Sequence, residues 1–140
     1  SALETAFWDV DRSQLEEAVA ELSTDGYIAT TFTMAHHLPY ICPTLELFSA
    51  FDPIAGMGKP IEDSLVLIEK VLPQESVDVG ALHKETGWSI RRFNPAVGLV
   101  ISQLDDKSVS GEMQPTYPTR WFRISAQDRV ALRRYVARLS

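Results

Sequence analysis

Apolar residues recur at helical spacing near the start of the chain, which predicts a first helix over residues 13–25. The side chains that share its apolar face are Leu15, Ala18, Val19 and Leu22. Ser13 and Glu16 have the spacing of a capping box, and the Asp25-Gly26 pair is typical of a helix end. An amphipathic helix of about three turns is therefore expected here.

A different pattern follows, because residues 27–34 are rich in β-branched and aromatic side chains and residues 38–42 form a second short apolar run. Together they predict a hairpin with its turn near His36 and His37. Pro43 is suited to the first position of a short helix reaching residue 50, and Asp52-Pro53 is expected to end that helix. Residues 55–60 contain two glycines and predict a linker, where we expect the main internal boundary.

From residue 60 onward the periodicity is regular. It predicts three helices in tandem, over residues 61–72, 76–86 and from 89 onward, and two strands at 109–114 and 120–124. Ser76 is the predicted cap of the second helix, and Gly87 its left-handed stop. The apolar face of the third helix comprises Phe93, Val97, Val100, Ile101 and Leu104. Trp121 and Phe122 are adjacent aromatic residues in the second of these strands. Phe122 is expected in the core, whereas Trp121 could either pack there or face outward.

A last helix is predicted from Ser125, with Asp128 three residues later as a shorter-armed capping partner. Its apolar stripe is expected to bury Leu132, Tyr135, Val136 and Leu139. Its outer face is basic, with arginines at 129, 133, 134 and 138. The chain as a whole is thus predicted to be α+β. An acidic helix and hairpin region at 1–59 is expected to supply a dimer or partner interface, and a domain at 60–140 ends in the basic helix.

Residues 60–125 resemble the winged helix-turn-helix superfamily. The resemblance rests on four features: the helix at 76–86, the turn Thr86-Gly87-Trp88-Ser89, the third helix with Phe93, Val97, Val100 and Leu104, and the predicted hairpin at 109–124. It implies that the helix over 89–104 enters the DNA major groove, with Arg91 and Arg92 in its first turn. Arg120 and Arg123, in the wing, would then contact phosphates. The candidate DNA-binding residues are Trp88, Ser89, Arg91, Arg92, Asn94, Arg120 and Arg123.

The chemistry of this assignment is consistent, since an arginine can donate two hydrogen bonds to guanine, and Ser89 and helix amides can meet phosphate oxygens. Pro95 departs from the family pattern. It either kinks the recognition helix or, with Asn94 as cap, begins it, which would leave Arg91 and Arg92 on the turn.

Charge divides along the chain: residues 1–80 carry a net −11 and residues 81–140 a net +5, within a total of −6. A basic half on an acidic protein favours a local anionic partner, with nucleic acid as the first candidate. The lone Cys42 cannot form an internal disulfide and favours a reducing, cytoplasmic setting. The acidic start and the absence of a long apolar run predict neither a signal peptide nor a membrane span.

Catalytic chemistry is not indicated. The sequence predicts no enzyme activity and no cofactor, because the residues at 56–60 lack the full phosphate-loop spacing and no triad stands out. His36, His37 and Cys42 are metal-binding types, but adjacent strand residues point to opposite faces, so no metal site is predicted.

The leading hypothesis is a winged-helix DNA-binding module, acting in transcription regulation or in a DNA-processing assembly, and working as a homodimer. The alternative is a winged-helix module that docks a protein partner, or its own acidic half, without binding DNA. Arginines paired with Asp and Glu side chains of the same molecule would favour that alternative. A third hypothesis is that residues 13–42 are the remnant of a second winged unit.

Overall fold

The computed structural model describes residues 11–31, 39–112 and 114–139. It is a mixed α+β structure that divides into two compact units, Ser1–Ala50 and Phe51–Ser140. The dividing point lies inside a helix, several residues before the predicted linker.

In the first unit, helix α1 spans Arg12–Thr24. Its cap is Asp11, whose carboxylate accepts the Ser13 amide at 2.9 Å, so the predicted capping box starting at Ser13 is wrong. An aspartate just before the helix satisfies the same free amides that Ser13 was expected to serve. Gly26 ends the helical segment with φ of 80°, as the Asp-Gly pair predicts.

The hairpin prediction is confirmed in its strands. Strand β1, Ile28–Thr31, pairs antiparallel with β2, Tyr40–Pro43, in a register that sets Ile28 opposite Pro43. The predicted turn with His36 and His37 lies outside the described residues. Thr44 joins the two strands at the end of the hairpin opposite the predicted turn, since its hydroxyl donates to the Gly26 carbonyl at 2.6 Å.

Pro43 therefore belongs to a strand, and its predicted place at the start of a helix is wrong. Helix α2 spans Leu45–Ala55 and runs through Pro53 without ending at Asp52-Pro53. Thr44 takes the capping role, because its hydroxyl accepts the Leu47 amide at 3.4 Å.

The second unit contains the predicted tandem helices. Helix α3 spans Pro60–Val71, helix α4 spans Val79–Thr86 and helix α5 spans Ile90–Ser102. Pro60 occupies the first turn of α3, where a proline loses no needed hydrogen bond. Gly87 adopts φ of 68° after α4, which confirms the predicted left-handed stop. Helix α5 begins directly after its cap Ser89, close to the predicted start at residue 89. Helix α5 continues through Pro95, which rejects a start at Asn94.

Ser76 is not the cap of α4. Residues Ser76–Asp78 form strand β3, and Asp78 caps the helix by accepting the Ala81 amide at 2.8 Å. The pairing partner of this strand is β4, Trp121–Arg123, in antiparallel register with Ser76 opposite Arg123.

The predicted 109–124 hairpin is correct only in part. Val109 forms a single bridge to Phe122, and β4 makes its ladder with β3 instead. Phe122 is fully buried, as expected for the core. A 3₁₀ turn at Asp106–Ser108 precedes the bridge.

Helix α6 spans Ala126–Leu139. Its predicted cap is confirmed by reciprocal bonds: the Asp128 amide donates to Ser125 Oγ at 3.1 Å, and the Ser125 amide donates to Asp128 Oδ2 at 2.9 Å. Leu132 and Tyr135 are buried, but Leu139 is 42% exposed, so its predicted burial is wrong. The core of the unit is built by α3, β3, α4, α5, β4 and α6. Its largest fully buried side chains are those of Phe93, Phe122, Leu67, Ile68 and Leu132.

Candidate functional site

The start of helix α5 presents Arg91, whose side chain is paired with a carboxylate of α2. The guanidinium donates two parallel hydrogen bonds to Asp52, from Nη1 to Oδ2 at 2.8 Å and from Nη2 to Oδ1 at 2.7 Å. The Asp52 side chain is only 6% exposed, whereas that of Arg91 is 42% exposed. A buried carboxylate is thus neutralised by an arginine that reaches it from the surface.

Arg92 forms a second pair of the same kind, with Asp63 in the first turn of α3. Nε donates to Oδ2 at 2.9 Å and Nη2 donates to Oδ1 at 2.8 Å. The guanidinium also lies over the indole of Trp88, with 4.1 Å between its central carbon and the ring centroid. The fork of Arg92 is therefore fixed both by a carboxylate and by an aromatic face.

Gly58 allows Arg92 to approach this closely. A Cβ at position 58 would lie 3.0 Å from Arg92 Cγ and 3.3 Å from Asp63 Oδ2, and the residue has φ of +124°. The backbone there is in a region that glycine alone adopts readily. The second pair therefore depends on a glycine in the loop between α2 and α3.

Both ion pairs raise the pKa of their arginines. In each case the hydrogen bond to the aspartate is the largest cause, burial opposes it, and the charge of the carboxylate adds to it. The two guanidiniums stay charged, but their forks are engaged. A guanine edge needs the same bidentate fork, so base reading by Arg91 or Arg92 competes with these aspartates.

The two pairs connect the loop at residues 56–59 to α5 from both sides, because Asp52 precedes the loop and Asp63 follows it. We call residues 51–61, which contain this loop, the clamped segment. Its large apolar side chains are solvent-exposed, most of all Ile54 at 82%, together with Phe51, Met57 and Ile61. The ion pairs thus hold in place a segment that offers apolar side chains to the outside.

The other predicted DNA-binding residues are dispersed. Asn94 Nδ2 donates to the Thr116 carbonyl at 2.8 Å, and its buried Oδ1 has no hydrogen-bond partner among the described residues. Arg120 pairs with Glu112 at 3.2 Å on the surface. Arg123 is exposed and lies beside the Trp121 ring, 5.4 Å from its centroid. The structure brings together Trp88, Ser89, Arg91 and Arg92, but it places Asn94 and the two wing arginines in separate local contacts.

The basic face of α6 is also divided. Arg129 donates to the backbone carbonyls of Leu72 and Gln74, at 3.1 and 2.9 Å. Arg133 and Arg134 are exposed, and Arg138 donates to the side chain of Gln103 at 3.4 Å.

The sequence favours a surface or interhelical contact for His83 over a ligand or base, but it does not reveal that this side chain organises the turn. Its Nε2 donates to the Trp88 carbonyl at 2.6 Å, so Nδ1 of a neutral ring accepts the Tyr117 hydroxyl at 2.8 Å. The ring also lies 4.8 Å from that of Phe93. It joins α4, the turn and the 114–119 loop, an interhelical role in keeping with its half-buried position.

Asp52 and Asp63 were missed as well. Each lies on a helix rich in apolar residues, and the acidic excess of the first half is the only signal that pointed to internal pairing.

Comparisons of the chain with family models, with curated proteins and with solved structures find no match. The winged-helix resemblance therefore remains a prediction. Within residues 11–31, 39–112 and 114–139, no three or more His, Cys, Asp or Glu side chains are grouped as a metal site requires. The described part of the chain also contains no helix with the length and apolar character of a membrane span.

Proposed function

We propose that the unit Phe51–Ser140 is a protein-interaction module with a winged-helix arrangement, in which Arg91 and Arg92 act inside the molecule. The observation that carries the proposal is the bidentate pairing of both arginines with buried aspartates. The order α3, α4, α5 and then β4 supports the winged-helix part of the proposal.

The pairing argues against a base-reading role on energetic grounds. Moving either fork to a base edge would leave a carboxylate that is 6% or 7% exposed without its partner. An unpaired buried charge costs about 1–3 kcal/mol or more, which is at least what a good bidentate base contact contributes. The arginines therefore serve the fold of the clamped segment better than they serve a nucleic acid.

The clamped segment is the proposed docking surface. Ile54, Met57 and Ile61 are large apolar side chains that remain exposed. Burying such side chains against a partner removes them from water, at roughly 25 cal/mol for each Å² covered. The partner we propose is a second copy of the chain, whose own clamped segment supplies the matching apolar surface. A homodimer was also predicted from the sequence, but with its interface in the acidic region at 1–59.

A photo-crosslinking experiment tests this function. A benzophenone amino acid replaces Ile54 in one variant and Ser102, an exposed residue at the end of α5, in a matched control. Expressed in the cells that naturally make the chain, the first variant is expected to give one discrete crosslinked product and the control none. Mass spectrometry distinguishes a second copy from a different protein. Equal crosslinking at both positions, or none at position 54, contradicts the proposal.

DNA binding is the second candidate, and one observation favours it: the paired guanidiniums of Arg91 and Arg92 are still 42% and 41% exposed. Titration of duplex DNA between about 50 and 200 mM salt tests it, using the wild-type chain and the Arg91→Ala/Arg92→Ala variant. A steep salt dependence that the double variant loses favours DNA. Equal and salt-insensitive binding removes this candidate.

A further inference from the structure

A cavity of about 480 Å³ lies where β3 and β4 meet the start of α6, on a part of the second unit that the clamped segment does not include. Its lining combines three cationic side chains and three hydroxyls, those of Lys107, Arg123, Arg129, Ser76, Ser108 and Ser125. Glu75 contributes the one acidic side chain of the lining. The lining therefore carries a net charge of +2.

Arg129 is the most rigid of the three cations. Nε donates to the Leu72 carbonyl at 3.1 Å and Nη2 to the Gln74 carbonyl at 2.9 Å, which fixes the guanidinium while leaving its charge uncompensated. A guanidinium has five N–H donors, and these two bonds leave three. A preorganised fork of this kind loses little side-chain freedom when it meets an anion.

Arg123 and Lys107 are the other two cationic side chains of the lining. Arg123 lies opposite Ser76 in the β3–β4 register, and both cations are exposed. Within the described residues, none of the three cations forms an ion pair, in contrast to Arg91, Arg92 and Arg120. Three positive charges without an ion pair among the described residues therefore meet at this cavity.

The hydroxyls differ in what they can offer. The Ser108 hydroxyl donates to the buried carboxylate of Asp128 at 2.6 Å, so its hydrogen cannot also be donated to a ligand. Ser125 Oγ accepts the Asp128 amide and keeps its own proton for another acceptor. Asp128 lies behind the lining, and its carboxylate also accepts the amides of Asp105 and Ser125 at 3.0 and 2.9 Å. These neutral donors stabilise the carboxylate, whose negative charge remains behind the lining and offsets part of its positive charge.

We propose that this cavity binds the phosphate group of a small phosphomonoester. A phosphomonoester carries a charge of about −1.5 to −2 at pH 7 and several strong acceptor oxygens, which matches the net charge and the donors of the lining. The cavity volume falls within the roughly 300–1,000 Å³ of small-molecule sites, so it has room for an organic part beyond the phosphate. This site is separate from the proposed docking surface and does not depend on it.

Calorimetric titration of the full chain tests the proposal, with inorganic phosphate, O-phosphoserine and glycerol phosphate as probes. We expect saturable binding of a phosphomonoester that Arg123→Gln and Lys107→Gln each weaken about tenfold or more, the size of a lost charge-assisted hydrogen bond. Both side chains are exposed, so neither change removes core packing. Arg134→Gln, which removes an exposed arginine of α6 outside the lining, is expected to leave the affinity unchanged.

Each other outcome overturns the proposal. Absence of saturable binding by every probe removes the site, and an equal loss in the Arg134→Gln control reduces the effect to general charge. Binding of inorganic phosphate alone contradicts a site for an ester. Salt-dependent binding of duplex DNA that requires Arg123, without monoester binding, assigns the surface to a nucleic-acid backbone instead.

Discussion

Arg91 and Asp52 are 39 positions apart in the chain, yet their side chains share two hydrogen bonds of 2.7 and 2.8 Å. The carboxylate is buried and the guanidinium is half exposed. This difference in burial makes the two partners unequal, because loss of the arginine leaves a charge in a poorly hydrated position whereas loss of the aspartate leaves one that water can reach.

Arg91→Met is therefore expected to destabilise the chain more than Asp52→Asn. We expect a loss of about 1–3 kcal/mol in the free energy of unfolding for the arginine variant, and roughly 1 kcal/mol or less for the aspartate variant. Urea denaturation measures both values, with Arg134→Met as an exposed control. Equal losses in the two variants, or a larger loss in Asp52→Asn, would contradict the inferred asymmetry.

Two glycines of the same loop differ both in backbone strain and in steric contact. Gly56→Ala introduces a side chain into open space at φ of +71°, so only strain of about 1 kcal/mol is expected. Gly58→Ala adds close contacts with Arg92 and Asp63 and is expected to cost about 1–3 kcal/mol.

Thermal and urea unfolding compare these variants, and Gly111→Ala is the matched control, since position 111 has open space and no positive φ. If Gly58→Ala were no more destabilising than Gly56→Ala, the close approach of Arg92 would have no energetic importance.

Asp128 predicts a dependence of stability on pH. Burial, the largest single influence, raises its pKa, but hydrogen bonds from Ser108, Asp105 and Ser125 together hold the pKa below the ordinary value of 3.8. A group with a lowered folded-state pKa contributes stability above its unfolded pKa and loses it as the pH falls through the folded value.

Asp128→Asn is thus expected to reduce the free energy of unfolding by about 1–3 kcal/mol near neutral pH. The difference from the wild-type chain should shrink as the pH falls below 3.8. Denaturation curves at a series of pH values measure this difference. A difference that stays constant down to strong acid would show that ionisation of Asp128 does not stabilise the fold.

His83 predicts a graded loss of stability. His83→Phe keeps an aromatic ring near Phe93 but removes the donor to the Trp88 carbonyl and the acceptor of the Tyr117 hydroxyl. We expect a cost of about 1–2 kcal/mol, and a smaller cost for Tyr117→Phe, which removes only one of the two bonds. Chemical denaturation checks the order, and a larger effect in Tyr117→Phe would show that the Trp88 bond is unimportant.

The sequence predicts well the helix bounds, stops and caps that depend on residues close together in the chain. Helix α3 was expected at residues 61–72 and spans Pro60–Val71, because apolar periodicity and flanking prolines act within a few residues. The stop at Gly87, the start of α5 close to residue 89 and the cap at Ser125 have the same local origin.

Long-range pairing was beyond the reach of these signals. Strand β3 has three residues and begins with a serine that suits a helix cap, so only its partner β4 reveals it as a strand. The ion pairs of Arg91 and Arg92 join residues 39 and 29 positions apart, and no periodicity encodes which acid meets which base. The arginines were thus identified as important from the sequence, whereas their partners were not.

The adjacency of Arg91 and Arg92 on one helical turn has a mechanical consequence for the clamped segment. A force that lifts the 56–59 loop away from α5 acts on two charged links side by side, one at each end of the loop. The loop can leave α5 only if both ion pairs break. A tilt at the start of α5 therefore moves Asp52 and Asp63, and with them the exposed side chains of Ile54 and Met57.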